Sequence, residues 1–214
     1  MSTVLSPKTS RRGAPHQQRS RETLELILSS AAALLEEVGF EKLSTNLICK
    51  RANLTPPALY RYFPNKYAVL KELGERLMAR QNAILQDALL DPTDLDALPD
   101  KIQHFLSETI RVTRETKAGG WIMRSLHATP ILSDVRLSSH RQVSREMSQR
   151  ILRQWPDLDR DRVYQSSRIG VEMGYAAIEM AIDEPDFDEA ESLRLAASML
   201  SHNLRALVTP SDAG

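Results

Sequence analysis

The chain has 214 residues, of which 42% are hydrophobic and 26% are charged, a composition typical of one or two folded domains rather than of a disordered chain. A single cysteine, Cys49, excludes an intramolecular disulfide, and no apolar run reaches the roughly 20 residues that a membrane-spanning helix needs. These features predict a cytoplasmic protein without a membrane partner. The net charge is zero, yet residues 1–66 carry ten Lys and Arg against five Asp and Glu.

Residues 1–19 are rich in Ser, Pro, Gln and Arg and lack an apolar period, which predicts a flexible basic arm. From Arg21 onwards, apolar residues recur at three- and four-residue spacing, which predicts an amphipathic helix. Ser20 is the expected N-cap of this helix, and Gly39 is expected to end it in a left-handed turn.

Two short helices are predicted next, within residues 44–63. Ser44 and Thr55 are suited to cap them, and Pro56 fits the first position of the second helix, where no backbone donor is needed. Asn53 lies between the two helices, where the chain is expected to need a positive φ, and Pro64 is expected to end the second helix.

The rest of the chain also reads as helical. A long helix is predicted from Lys66 to about Leu90, followed by a connector over Asp91–Pro99. Further helices are predicted at about 100–116, 119–127, 131–154, 160–183 and 187–208. The predicted fold is therefore all-α with about nine helices. Its predicted parts are an arm (1–19), a three-helix domain (20–66) and a larger helical domain (67–214).

Two short helices joined by a tight turn behind a longer helix are typical of a helix-turn-helix, whose second helix enters the major groove of DNA. The spacing of specific residues goes further, and it resembles the TetR family of transcription regulators. The residues that carry the resemblance are Gly39-Phe40, Ser44-Thr45, Ile48, Ala52, Leu54-Thr55, Leu59-Tyr60-Arg61-Tyr62-Phe63 and Asn65-Lys66. The chain departs from the family pattern at Cys49, Asn53 and Pro57.

The candidate DNA contacts follow from side-chain chemistry at these positions. Hydroxyls, helix-start backbone groups and a helix-start lysine suit phosphate, and this predicts phosphate contacts by Thr45, Thr55, Tyr60, Tyr62 and Lys66. Asn46 is expected to reach a base or a phosphate, and Arg61 a guanine edge or a phosphate. Apolar contacts with thymine methyl groups are predicted for Pro56, Pro57 and Ala58. Packing in the core is the alternative for Tyr62, and plain solvent exposure is the alternative for Lys66.

The resemblance implies a homodimer that binds a palindromic operator in double-stranded DNA, with the last two long helices forming a four-helix bundle across the dimer. Five small residues at helical spacing (Ser167, Gly170, Gly174, Ala177 and Ala181) favour close helix approach at that interface. Close packing within one subunit is the alternative that the spacing leaves open.

The resemblance also implies a small-molecule effector site in the C-terminal domain. Apolar residues with a few polar groups suit such a pocket, and the candidates are Phe105, Trp121, Met123, His127, Met173 and Tyr175. An ordinary core would contain the same residues. His104 and His127 lack metal-ligand spacing, so neither a metal nor a cofactor is predicted.

The expected function is a sequence-specific DNA-binding regulator, a repressor released by a small molecule. Two alternatives are a DNA-binding protein without an effector and a helical protein-interaction module. An enzyme is not predicted, because the nucleotide-binding, zinc-protease and serine-hydrolase motifs are absent from the sequence.

Overall fold

The computed structural model describes residues 14–88, 94–184, 186 and 188–209. Within these ranges the backbone forms helices and turns, without a strand. The helices are α1 (Ala14–Lys42), α2 (Thr45–Ala52), α3 (Pro56–Tyr60), α4 (Lys66–Ala88), α5 (Leu98–Glu115), α6 (Gly119–Ala128), α7 (Pro130–Gln154), α8 (Arg160–Asp183) and α9 (Glu189–Val208). The chain divides into two compact units, Met1–Val69 and Leu70–Gly214, so α4 begins in the first and continues in the second. The all-α fold predicted from the sequence is confirmed.

The start of α1 corrects one prediction. The helix begins at Ala14, so residues 14–19 belong to it rather than to a flexible arm, while residues 1–13 of the predicted arm lie outside the described residues. Pro15 lies in the first turn, where its missing N–H is tolerated, and Gln18 donates to Glu22 one turn later, at 2.9 Å. Ser20 is therefore inside the helix and does not cap it.

The turns around α2 and α3 follow the sequence predictions in part. Gly39 interrupts α1 with φ 74°, although its ψ of 174° is outside the left-handed helical region that was predicted. The Ser44 side chain accepts a hydrogen bond from the Leu47 N–H at 3.3 Å, and Asn53 has the expected positive φ of 51°. Thr55 precedes α3 without a side-chain capping bond, and α3 ends at Tyr60, several residues before Pro64.

Caps and prolines set the helix starts of the second unit. The Asp159 and Asp188 carboxylates accept from the backbone of Arg162 and Glu191 at 2.7 and 3.1 Å, at the starts of α8 and α9. The sequence predicted that Pro99 and Pro130 lie between helices. In the structure they lie instead in the first turns of α5 and α7. Proline is accepted in the first helical turn because its missing N–H has no partner there in any case.

The small residues of α8 face the inside of the second unit. Ser167, Ala177 and Ala181 are buried within the monomer. A Cβ built on Gly170 would lie 3.7 Å from Leu200 of α9, and one on Gly174 would lie 3.5 Å from Leu106 of α5. The prediction that this row of residues approaches a second subunit is therefore wrong, because the row lies against helices of its own subunit.

Candidate nucleic-acid interface and ligand cavities

The ten candidate DNA-contacting residues all remain accessible at the surface of the first unit. Leu59 and Phe63 turn inward and are 0% and 6% exposed, which orients the rest of α3 outward. Six candidates are exposed and four are half-buried; the exposed ones are Asn46, Thr55, Pro56, Pro57, Tyr60 and Arg61, and the half-buried ones are Thr45, Ala58, Tyr62 and Lys66. The surface of α3 is thus a short helical ridge with apolar prolines at one end and an arginine at the other.

Both tyrosine hydroxyls are held by neighbouring hydroxyl groups. The Tyr60 hydroxyl lies 3.3 Å from Thr45 Oγ1 of α2, and the Tyr62 hydroxyl lies 3.2 Å from Ser20 Oγ of α1. A phenol hydroxyl both donates and accepts, so each pair retains hydrogen-bonding capacity for an incoming phosphate. Ser20 thus serves as a partner of Tyr62 across the fold, a role that its local sequence does not reveal.

The Lys66 side chain is half-buried and contacts Phe40, so it is not a simple solvent-exposed lysine. Its Nζ donates to the Phe40 carbonyl at 3.1 Å and lies 4.6 Å from the centre of the Phe40 ring. An ammonium group has three donors, so two remain for other acceptors. Just before it, Asn65 Oδ1 accepts from the Ala68 N–H at 3.0 Å and caps α4. Lys66 therefore ties the segment after Gly39 to the start of α4.

Two further residues in this unit have clear structural roles. Arg51 of α2 donates to both carboxylate oxygens of Glu37 of α1, at 2.7 and 2.6 Å, so the two charges offset each other. Cys49 is 5% exposed, and burial raises the pKa of its thiol, the environment of a packed side chain rather than of a reactive one.

The six predicted ligand-binding residues are distributed over different parts of the second unit. Phe105 and Tyr175 line one cavity, and Met123 and His127 line another. Trp121 and Met173 belong to neither of these two cavities; they are 38% and 41% exposed. The prediction that all six form one pocket is wrong, because they are divided among α5, α6 and α8 and line two different cavities or neither.

The first cavity, here called the apolar cavity, lies among α5, α7, α8 and α9 and has a volume of about 100 Å³. Its walls include Phe105, Met147 and Leu200, and the α8 residues Gly170 and Gly174 contribute open backbone. The Tyr175 hydroxyl donates to Gln81 Oε1 of α4 at 3.1 Å, and the Gln81 amide donates in turn to Thr113 Oγ1 of α5 at 2.8 Å. This buried chain of hydrogen bonds ties one wall to two other helices.

The second cavity, here called the polar cavity, lies between α6 and α8 and has a volume of about 450 Å³. Arg124 donates to Asp183 at 2.8 Å in this cavity. His127 Nδ1 lies 2.9 Å from Glu179 Oε1, an oxygen that accepts no hydrogen bond from the described residues. Burial raises the pKa of Glu179 to about 7. The guanidinium of Arg124 also lies 5.3 Å from the centre of the exposed Trp121 ring.

A partly buried polar cluster joins α7 to α8. Glu172 accepts from Arg136 at 3.2 Å, contacts Arg168, and lies 3.1 Å from Nδ1 of His140. His140 is fully buried and stacks on the Tyr175 ring with 4.0 Å between ring centres. Burial lowers the pKa of His140 to about 4. Sequence reasoning missed this cluster; its one local signal is a histidine among the inward-facing small and apolar residues of α7.

In the ranges that the structure covers, His, Cys, Asp and Glu side chains do not form a group of three or more able to hold a metal ion. None of the described helices is long and apolar enough to cross a membrane.

The fold and the exposed α2–α3 surface are those of a helix-turn-helix protein with a separate helical body. Residues 27–73 match the family described as "Bacterial regulatory proteins, tetR family". EthR, an HTH-type transcriptional regulator of Mycobacterium tuberculosis H37Rv, is 35% identical over 86 residues, which is 40% of each chain. The class C tetracycline repressor of Escherichia coli is 39% identical over 54 residues, 25% of each chain. Over this part of the chain, the sequence is therefore similar to TetR-family regulators.

The sequence likeness to the curated relatives spans about 40% of their length. Solved structures extend the likeness in fold. A putative TetR-family regulator from Syntrophomonas wolfei aligns with TM-score 0.67 at 15% identity, covering 91% of this chain and 100% of that one. The SmeT–triclosan complex aligns with TM-score 0.65 at 22% identity, covering 89% and 93%. At these identities the structures show a shared fold.

Proposed function

We propose that this protein is a sequence-specific DNA-binding transcription regulator, a repressor that a small molecule releases from a palindromic operator. The observation that carries the proposal is the outward face of α3. Thr55, Tyr60 and Arg61 are exposed there, while Leu59 of the same helix is buried in the core. A short exposed helix with an arginine and hydroxyl groups suits the major groove and its flanking phosphates. EthR and the tetracycline repressors are named as regulators or repressors, and the family match over residues 27–73 includes α3.

The proposal includes a homodimer formed by α8 and α9. Four large apolar side chains on these helices are exposed in the monomer, spaced four residues apart on each helix: Ile169, Met173, Leu195 and Met199. Such a row of exposed apolar residues is typical of a surface that a partner covers. The support for the dimer thus comes from the outward faces of α8 and α9 and not from the small residues between them. The apolar cavity supports an effector within the second unit. In a protein without an effector, we would expect core side chains to fill this space.

The test of DNA binding is fluorescence anisotropy with a labelled duplex taken from upstream of the protein's own gene. Arg61→Ala is expected to weaken binding about 5- to 150-fold, since a lost bidentate base contact costs about 1–3 kcal/mol. Arg145→Ala removes the same charge from an exposed position on α7 and serves as the matched control. Equal affinity of the Arg61→Ala variant and the parent protein, or equal binding to scrambled DNA, would contradict the proposal.

A further inference from the structure

The walls of the apolar cavity carry no charge. The lining side chains are aliphatic, methionine and phenylalanine residues, with Ser166, Ser167, Tyr175 and Asn203 as the polar members, and Asp, Glu, Lys, Arg and His do not occur among them in the part of the chain that the structure describes. A charged group brought into this space would lose its hydration without meeting an opposite charge, which is strongly unfavourable. The cavity therefore discriminates against ions.

The polar members of the lining are already engaged with protein atoms. Ser167 donates to the Val163 carbonyl at 2.9 Å, and the Asn203 amide donates to Ser166 Oγ at 2.8 Å. The Tyr175 hydroxyl donates to Gln81. The Ser167 and Tyr175 hydroxyl donors are thus in use, so the lining offers few free donors to a polar ligand, whereas an apolar ligand needs none.

The two glycines of α8 keep this space open. Cβ atoms built on Gly170 and Gly174 would meet their nearest neighbours at 3.7 and 3.5 Å, which is ordinary van der Waals contact. Neither glycine has a positive φ, so neither is needed for its backbone conformation. In a helix, glycine costs about 1 kcal/mol relative to alanine. Alanine would fit and would stabilise the helix at both positions, but its methyl group would occupy the cavity.

We infer that the apolar cavity binds an uncharged, mainly apolar molecule of about the size of a substituted benzene ring. The inference rests on the proposed function, because it assigns the chemical class of the effector. An apolar cavity of roughly 150 Å³ accepts benzene, and the flexible Met147 in the wall lets this cavity of about 100 Å³ adjust to a similar guest. The polar cavity is less suitable for such a molecule, because ionisable side chains line it, among them Arg124, Glu179 and Asp183.

The experiment compares three probes that share one ring and differ in charge: benzyl alcohol, benzoate and benzylammonium. Binding to the full chain is measured by ligand-observed NMR titration at pH 7. Benzyl alcohol is expected to bind at least 10-fold more tightly than either ion. Gly170→Ala and Gly174→Ala are each expected to weaken benzyl alcohol binding several-fold while raising the Tm of the unliganded protein. Gln165→Ala, at an exposed position on α8 outside the lining, is the control and is expected to leave binding unchanged.

Three results would overturn the inference: no binding of benzyl alcohol, equal binding of either ion, or unchanged binding in both glycine variants. A lower Tm in both glycine variants would also count against it, since the methyl groups would then be clashing rather than filling space. Operator anisotropy in the presence of benzyl alcohol separates the two proposals. Binding that depends on Gly170 but leaves DNA affinity unchanged supports the ligand class and contradicts the effector role.

Discussion

At the scale of single residues, the Lys66 side chain has two roles: it contacts Phe40 within the fold, and it contributes a positive charge to the surface. Its ammonium group donates to the Phe40 carbonyl and lies against the Phe40 ring, and it remains half-buried at the start of α4. A variant at this position therefore changes stability and surface charge at once. Arg61 is exposed, so a variant there changes the surface charge with little effect on stability.

Lys66→Ala is expected to lower the free energy of unfolding by about 1–3 kcal/mol, the usual value of a hydrogen bond to a charged group. Arg61→Ala is expected to change it by less than about 0.5 kcal/mol, as is usual at an exposed position. Urea denaturation of both variants measures the difference. In operator binding, a phosphate contact by Lys66 would reduce the salt-dependence slope by about 1. A Lys66→Ala variant as stable as the parent would contradict the structural role.

At the scale of helices, the outward rows of α8 and α9 predict how the subunits associate. Ile169 is 59% exposed, and replacing it with glutamate would place a charge in the proposed dimer interface. We expect Ile169→Glu to convert the dimer to a monomer at micromolar concentration while leaving the helical content unchanged. Sedimentation equilibrium measures the first property and circular dichroism the second.

Ile131 supplies the matched control for this experiment. It is 66% exposed on α7, so Ile131→Glu introduces the same charge at an apolar surface position away from α8 and α9. This variant is expected to remain dimeric. If both glutamate variants dimerise like the parent protein, the proposed interface is wrong.

The helices also show what sequence can and cannot predict. Boundaries were predicted well where local chemistry sets them, as at the Ser44 cap and the positive φ of Asn53. Contacts between residues that are far apart in the sequence were not predictable in this way. Ser20 carries a capping signal but lies within α1, because the polar segment before it is also helical. The small residues of α8 fit two kinds of close packing equally well, and only the positions of α5 and α9 decide between them.

At the scale of the whole molecule, the buried His140 and the half-buried Glu179 have opposite effects on stability as the pH falls. His140 has a folded pKa of about 4 against an ordinary 6.5, so the unfolded chain takes up its proton first and stability falls between about pH 6.5 and 4. Glu179 has a folded pKa of about 7 against an ordinary 4.5, so the folded chain takes up its proton first and stability rises between about pH 7 and 4.5. In the shared window the two effects offset each other.

Glu179→Gln removes one of these opposing effects. We expect the variant to lose stability between about pH 6.5 and 4.5, with a slope of up to about 1.4 kcal/mol per pH unit, while the parent protein changes much less. His127 of α6 and Arg136 of α7 also face this region, and Glu172 and Asp183 flank Glu179 on α8. Urea denaturation at several pH values gives the slope, and His140→Gln provides the opposite variant, whose stability should rise with acidification. Identical pH profiles for all three proteins would contradict the assignment.

The burial of Cys49 gives the molecule a built-in reporter. It is the sole thiol in the sequence and lies in α2, with 5% of its surface exposed and a raised pKa. An alkylating reagent can modify it only when this part of the chain opens. The rate of modification therefore measures the free energy of local opening around α2, and the protein needs no engineered probe. A rate that falls when duplex DNA is added would give a binding isotherm read directly from the native chain.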